Sequence, residues 1–141
     1  MGRDDPLLAA SFQADSAAPA EARRAVRGLA VPESGRDDAV LLTSEVVANA
    51  VKHPAHPDGR VELRATRHGN VLRIEVANRR EPWRIGPPVE RPGWELRGAE
   101  DLAPSGWGLQ LVDRLAARWG TIHEPDRTVV WFEVEIDPAA D

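Results

Sequence analysis

The chain has no cysteine among its 141 residues, which excludes disulfides, thiolate metal sites and cysteine nucleophiles. It also lacks a long hydrophobic run, since no apolar stretch approaches the ~20 residues that a membrane-spanning helix needs. The N-terminal sequence from Met1 to Pro6 has no apolar core of the kind found in signal peptides. We therefore expect a cytoplasmic protein that does not associate with membranes.

The chain also lacks a net positive charge. The 23 acidic residues outnumber the 18 basic ones and leave a formal net charge of −5. Proteins that bind nucleic acids or anionic membranes generally carry a basic surface, so we expect no direct nucleic-acid binding. The only lysine is Lys52, and every other basic residue apart from the histidines is arginine.

The length fits one domain, which we place at residues 7–136, with flexible ends at 1–6 and 137–141. Strand-like alternation and helical periodicity predict a strand, two helices, a hairpin, a helix and two closing strands. The predicted ranges are 7–13, 17–30, 36–53, 60–67, 71–78, 107–119, 120–123 and 128–136. This order predicts an α+β fold, a two-layer sandwich whose mostly antiparallel, mixed sheet has helices on one face.

Residues 79–105 show no periodicity and contain five prolines and three glycines. A structureless stretch of about 25 residues is uncommon inside a small domain. Such segments are usually either functional lids or disordered. Both interpretations are compatible with this composition.

A polar stripe marks the otherwise apolar helix predicted at 36–53. Glu45, Asn49 and His53 are spaced i, i+4, i+8 and therefore lie on one face, with Asp38 and Lys52 in the same sector. Burial of such groups is costly without partners, so Glu45 could pair with an arginine and Asn49 with a loop backbone. The alignment of three polar residues favours a site instead. Asn49 suits a Mg²⁺ ligand, and Glu45 suits a base that takes a proton from a hydroxyl.

A glycine-containing motif, Ser105-Gly106-Trp107-Gly108-Leu109, directly precedes or opens the helix predicted at 107–119. Unpaired N–H groups at a helix N-terminus bind anions, and glycines let a phosphate approach closely. Glycines before a helix are also common simply as helix boundaries. The motif matches neither a Walker A loop nor a G-x-G-x-x-G fingerprint.

Taken together, these motifs resemble those of the GHKL ATPase superfamily and, within it, the bacterial anti-sigma-factor serine/threonine kinases. The segment from Ser44 to His53 is similar to their N box, and the segment from Ser105 to Asp113 to their second glycine box. Arg118-Trp119-Gly120 before a strand is a further similarity. The resemblance spans residues 7–136 in the expected order.

The resemblance implies a Bergerat-type ATP-binding fold with ATP and Mg²⁺ as cofactors and residues 79–105 as a mobile lid. Asn49 would coordinate Mg²⁺, and Glu45 would be the base that activates a protein serine. The other nucleotide-binding positions would be Lys52, His53, Ser105, Gly106, Trp107, Gly108 and Leu109. The protein would phosphorylate a small antagonist protein, bind a sigma factor and so regulate transcription. A homodimer is also implied.

One position departs from the family pattern. Where the family has an aspartate that accepts a hydrogen bond from the adenine amino group, this chain has Asn78. A carboxamide keeps one acceptor but loses a charge-assisted bond, worth ~1.5–3 kcal/mol, or roughly ten- to a hundred-fold in affinity. Asn78 could also be an ordinary strand-ending residue.

Two other functions remain open at this point. A non-catalytic interaction module with the same fold is favoured by Asn78 and by the two arginines that follow it. A fragment of a histidine sensor kinase is less favoured, because we identify no dimerisation helices with a phosphoacceptor in the sequence.

Overall fold

The computed structural model describes residues 6–52, 59–79, 89–93 and 106–136. These residues form three helices and six strands in the order β-α-α-β-β-β-α-β-β. Their bounds are β1 Leu8–Gln13, α1 Ala18–Arg27, α2 Glu33–Lys52, β2 Arg60–His68, β3 Val71–Arg79, β4 Val89–Pro92, α3 Gly106–Leu115, β5 Arg118–Glu124 and β6 Arg127–Glu135. Within these ranges, no helix is long and apolar enough to cross a membrane.

The six strands form one sheet in the order β1-β2-β3-β6-β5-β4. Alternate residues of each strand point to opposite faces, and one face carries buried apolar side chains such as Leu63, Ile74 and Phe132. The helices cover this face, which confirms the predicted α+β sandwich. The prediction allowed a mixed sheet, whereas every pairing among the described strands is antiparallel.

Helix α2 lies at the centre of the helical layer. It packs against α1, against α3 and against the sheet, so it is enclosed on several sides. Leu42 and Val47, which lie on different sides of the helix, are both fully buried. This position explains why α2 is apolar around most of its circumference, as expected for a buried helix.

The start of α2 is fixed by a close contact with the end of the sheet. The backbone leaves the helical conformation at Ser34 and at Gly35, whose φ of 85° is in the left-handed region, so the continuous helix begins at Arg36. A Cβ at Gly35 would collide with the Glu135 carbonyl oxygen and lie 2.8 Å from Cγ2 of Ile136. The N-terminal end of α2 therefore lies where β6 ends.

Two helix boundaries differ from the prediction. The first helix is closed locally by Gly28, whose N–H donates to the Arg24 carbonyl oxygen, whereas the end of α3 reflects a long-range contact. The first helix ends at Arg27, and α3 ends at Leu115 rather than continuing to Trp119. Trp119 belongs to β5, where its backbone pairs with Phe132 and its indole Nε1 donates to Oδ1 of Asp113 at 2.9 Å. Trp119 matches the helical spacing in the sequence, but its side chain contacts α3 from the following strand.

The prediction that residues 79–105 form one structureless lid is wrong in part. Arg79 ends β3, and Val89–Pro92 form β4, which pairs with β5 at the edge of the sheet. Proline is tolerated there because an edge strand does not need every N–H group. Gly93 follows directly and lies against the Trp119 ring, since a Cβ there would be 2.6 Å from Cδ1 of the indole. Residues 80–88 and 94–105 lie outside the described residues.

The face of the sheet opposite the helices carries a cluster of charged side chains. Glu133 is 7% exposed and accepts hydrogen bonds from Arg118 at 2.7 Å and from Arg73 at 3.1 Å. The Arg73 guanidinium also lies 4.1 Å from the centre of the Trp131 ring. Two cations around one buried carboxylate offset the cost of removing that charge from water.

The substitution Gly35→Ala is expected to destabilise the fold by about 3 kcal/mol. The left-handed backbone costs ~1–2 kcal/mol for an L-residue, and the collision with β6 adds roughly 1–3 kcal/mol. Gly69→Ala is the matched control, because Gly69 has a φ of 63° but nothing lies within 4 Å of its Cβ position. Urea unfolding should show a loss of only ~1 kcal/mol for this control. Equal losses in the two variants would contradict the contact with β6.

Candidate functional site

A row of three polar side chains crosses the helix-facing side of the sheet. The strand register places Asn78 of β3 opposite Thr128 of β6, and Thr128 opposite His123 of β5. Directly opposed residues in antiparallel strands have Cβ atoms about 4.5–5.5 Å apart, so these three side chains are neighbours. The Oδ1 atom of Asn78 is buried. The polar row thus lies at one end of a face that is otherwise mainly apolar.

Asn49 carries a buried acceptor on α2. Its Oδ1 atom is inaccessible to solvent, and no described residue donates a hydrogen bond to it. A buried acceptor left unsatisfied costs roughly 1–3 kcal/mol. The alternative, in which a loop backbone satisfies Asn49, is not found among the described residues. A carboxamide oxygen is a ligand that a hard cation such as Mg²⁺ accepts, and Asn49 therefore fits the predicted metal ligand.

Glu45 lies one turn before Asn49 on the same helix and is partly exposed. Within the described part of the chain, its carboxylate makes no ion pair and no hydrogen bond, so the alternative in which an arginine neutralises it is not supported. The nearby arginine, Arg23 of α1, donates instead to the Ser44 hydroxyl at 2.7 Å. The described residues therefore leave the Glu45 carboxylate without a partner.

The two-layer geometry brings the polar stripe of α2 and the polar row to the same end of the sandwich. The helix starts where β6 ends, and it packs across β2, β3 and β6. From residue 36 to residue 52 it is about 25 Å long at ~1.5 Å per residue, close to the ~30 Å of a nine-residue strand. Glu45 and Asn49 consequently lie towards the end at which β3 finishes with Asn78 and β6 begins with Thr128.

The second glycine motif forms the first turn of α3. The helix begins at Gly106, so the backbone N–H groups from Gly106 to Leu109 are those that a helix leaves unpaired. Leu109 is 8% exposed and belongs to the hydrophobic core, so its contribution to a phosphate site is restricted to its backbone. Because α3 packs against α2, this turn belongs to the same helical layer as Asn49.

The remaining predicted positions lie at or beyond the ends of the described segments. Lys52 is the last residue of α2, while Trp107 and Gly108 lie in the first turn of α3. His53 and Ser105 lie outside the described residues. In the described ranges, no group of three acidic or histidine side chains could hold a metal ion. A Mg²⁺ near Asn49 would therefore take most of its ligands from phosphates and water.

Sequence reasoning did not identify Thr128 and His123 as site residues. Both lie next to the turn of the β5–β6 hairpin, and in the sequence each has the features of an ordinary strand residue. Their position beside Asn78 follows from the pairing of β3 with β6, which joins segments about fifty residues apart. The alternation of each strand gives the face that a side chain occupies, but it does not give this register.

Comparison with known proteins identifies the family to which this chain belongs. The family model of the histidine kinase-like ATPase domain matches residues 12–134, which is most of the chain and includes both the stripe on α2 and the polar row. No curated protein matches the chain. The chain thus belongs to the histidine kinase-like ATPase domain family of the GHKL superfamily.

Proposed function

We propose that this protein is a Mg-ATP-binding regulatory serine/threonine kinase of the anti-sigma-factor type. The observation that carries the proposal is a pair of oxygen groups on α2 that no described residue engages. Asn49 has a buried acceptor with no donor among the described residues, and Glu45 has a carboxylate without a described partner. The family match supports ATP binding by the domain in which this pair lies.

The chain offers two sets of groups to a Mg-ATP complex. The Oδ1 atom of Asn49 would bind the metal, and the N–H groups at the start of α3, from Gly106 to Leu109, would bind phosphate oxygens. Lys52, His53, Ser105 and Trp107 are the further positions that the family resemblance assigns to the nucleotide. When bound, Mg²⁺ neutralises charge on the phosphate oxygens, which is a large part of what phosphoryl transfer requires.

Glu45 would accept the proton of the serine hydroxyl that attacks the terminal phosphoryl group. Its carboxylate is partly exposed, so the side chain of a second protein can reach it. General base catalysis of this kind contributes roughly 10²- to 10⁴-fold to a rate. The remaining acceleration would come from the positioning of the serine against the bound nucleotide.

The proposed partners are proteins rather than nucleic acids. We propose a small antagonist protein that carries the accepting serine, and a sigma factor that the kinase sequesters in the cytoplasm, with the kinase acting as a homodimer. The net charge of −5 supports a protein partner, because it disfavours binding to a polyanion.

Asn78 favours a second candidate function. Without a carboxylate at this position, nucleotide binding could be weak enough for the domain to act as a non-catalytic interaction module. The two functions differ in one measurable property, which is whether the protein binds Mg-ATP at millimolar nucleotide.

The substitution Asn49→Leu is expected to stabilise the nucleotide-free protein and to remove its response to Mg-ATP. The change replaces an unsatisfied buried acceptor with an apolar group of similar size, which should raise the free energy of unfolding by about 1 kcal/mol. In the unchanged protein, Mg-ATP at a hundred times its Kd should add about 2.7 kcal/mol. Urea unfolding with and without Mg-ATP measures both effects.

Thr43→Val is the matched control for this experiment. Thr43 lies on the same helix, is fully buried and also has an acceptor without a described partner. Its replacement should leave the stabilisation by Mg-ATP intact. If Asn49→Leu instead lowered stability and left the Mg-ATP response unchanged, the Asn49 side chain would be structural.

The substitution Glu45→Gln should separate binding from phosphoryl transfer. The amide cannot take up the proton, so transfer of labelled phosphate from ATP to serine of a small co-purifying protein should fall roughly 10²- to 10⁴-fold. Mg-ATP affinity, followed by tryptophan fluorescence, should change little. Glu33→Gln, at an exposed position in the first turn of the same helix, should alter neither quantity.

Two outcomes would contradict the kinase. Unchanged transfer by Glu45→Gln would remove Glu45 as the base. Absence of ATP binding at millimolar nucleotide and Mg²⁺ would leave the interaction module as the function, provided that a protein partner is retained in the absence of nucleotide.

A further inference from the structure

The polar row at the end of the sheet consists of side chains that can both donate and accept hydrogen bonds. The carboxamide of Asn78 has separate donor and acceptor atoms, the Thr128 hydroxyl can donate or accept, and the imidazole of His123, when neutral, exists in two tautomers. None of the three is a carboxylate, which can only accept when ionised. The chemistry of these side-chain types therefore does not restrict the row to accepting hydrogen bonds from a ligand.

This property matters for a purine base. Adenine presents a 6-amino donor beside the N1 acceptor, whereas guanine and hypoxanthine present a 6-oxo acceptor beside an N1–H donor. A buried carboxylate accepts from the amino group but repels the oxo group. A carboxamide pairs with either edge, because rotation of the amide by 180° exchanges its oxygen and its nitrogen.

The position of Asn78 suits contact with the base rather than with the phosphates. It lies on β3 in the sheet layer, whereas Asn49 and the first turn of α3 belong to the helical layer. Its Oδ1 atom is buried, as a group that reads a base edge away from water would be. Thr128 lies directly opposite and can adjust its hydroxyl to either amide orientation.

We propose that this nucleotide site accepts 6-oxo purines as well as 6-amino purines, so that Mg-GTP and Mg-ITP bind with affinities close to that of Mg-ATP. The proposal rests on the proposed function, since it requires a nucleotide site between α2 and the sheet. It assigns to Asn78 the role of a specificity-determining residue, with Thr128 and His123 completing a base-binding row.

The test is a comparison of dissociation constants for Mg-ATP, Mg-GTP and Mg-ITP, measured by calorimetry on the full chain. ITP differs from ATP at the 6-oxo group and N1 only, so it isolates the edge that faces Asn78 from any effect of the guanine 2-amino group. In the unchanged protein, we expect the three constants to lie within about tenfold of one another. Asn78→Asp should raise the ITP-to-ATP ratio of Kd values by roughly ten- to a hundred-fold.

Asn70→Asp is the matched control. Asn70 is exposed in the β2–β3 turn, so this variant makes the same chemical change and adds the same charge away from the row. Its ratio should equal that of the unchanged protein. The wild-type ratio decides the proposal even if Asn78→Asp does not fold.

A preference for ATP over both GTP and ITP of more than a hundred-fold in the unchanged protein would overturn this inference and leave the kinase proposal standing. Failure of all three nucleotides to bind, with Mg²⁺ present and in both the unchanged protein and Asn78→Asp, would overturn the nucleotide site itself. The two failures are therefore distinguishable.

Discussion

The close approach of Gly35 to the end of β6 determines where α2 lies on the sheet, and the candidate site depends on that placement. A helix that begins at this contact has a length close to that of the strands beneath it, so its last turns reach the opposite end of the sandwich. The stripe that contains Glu45 and Asn49 arrives there together with the polar row on the sheet. A shift of α2 along its axis by one turn would move these oxygens by about 5.4 Å. The polar groups of α2 and those of the sheet would then no longer contact the same ligand.

Unsatisfied polar atoms inside the helical layer do not all have the same meaning. Thr43 and Asn49 both carry a buried acceptor that no described residue satisfies. Thr43 is fully enclosed, so no ligand can reach its hydroxyl, and its cost is a plain loss of stability. The residue Asn49 is partly exposed, although its Oδ1 atom is as inaccessible to solvent as the Thr43 hydroxyl. Exposure of the residue as a whole is therefore what distinguishes Asn49, as a candidate binding group, from Thr43.

The sequence predicts most of this fold because its elements have strong local periodicity. The β2–β3 hairpin follows from alternation on either side of Gly69, and the burial of α2 follows from its nearly continuous apolar circumference. The short β4 strand could not be predicted, since its residues Val89–Pro92 include two charges and a proline, and its place depends on pairing with β5. The polar stripe was visible in helical spacing. The row that contains Thr128 and His123 was not, because it depends on a register between distant strands.

The carboxamide at Asn78 changes the balance between the empty and the occupied site. A buried carboxylate would have to find a donor or a cation whenever no nucleotide is present, and it would otherwise reduce the stability of the fold. A neutral amide avoids the cost of burying a charge, so the empty site carries a smaller penalty. The same neutrality removes the repulsion that would exclude a 6-oxo purine. The neutrality of the amide would thus have two consequences: a more stable empty site and weaker discrimination between purine bases.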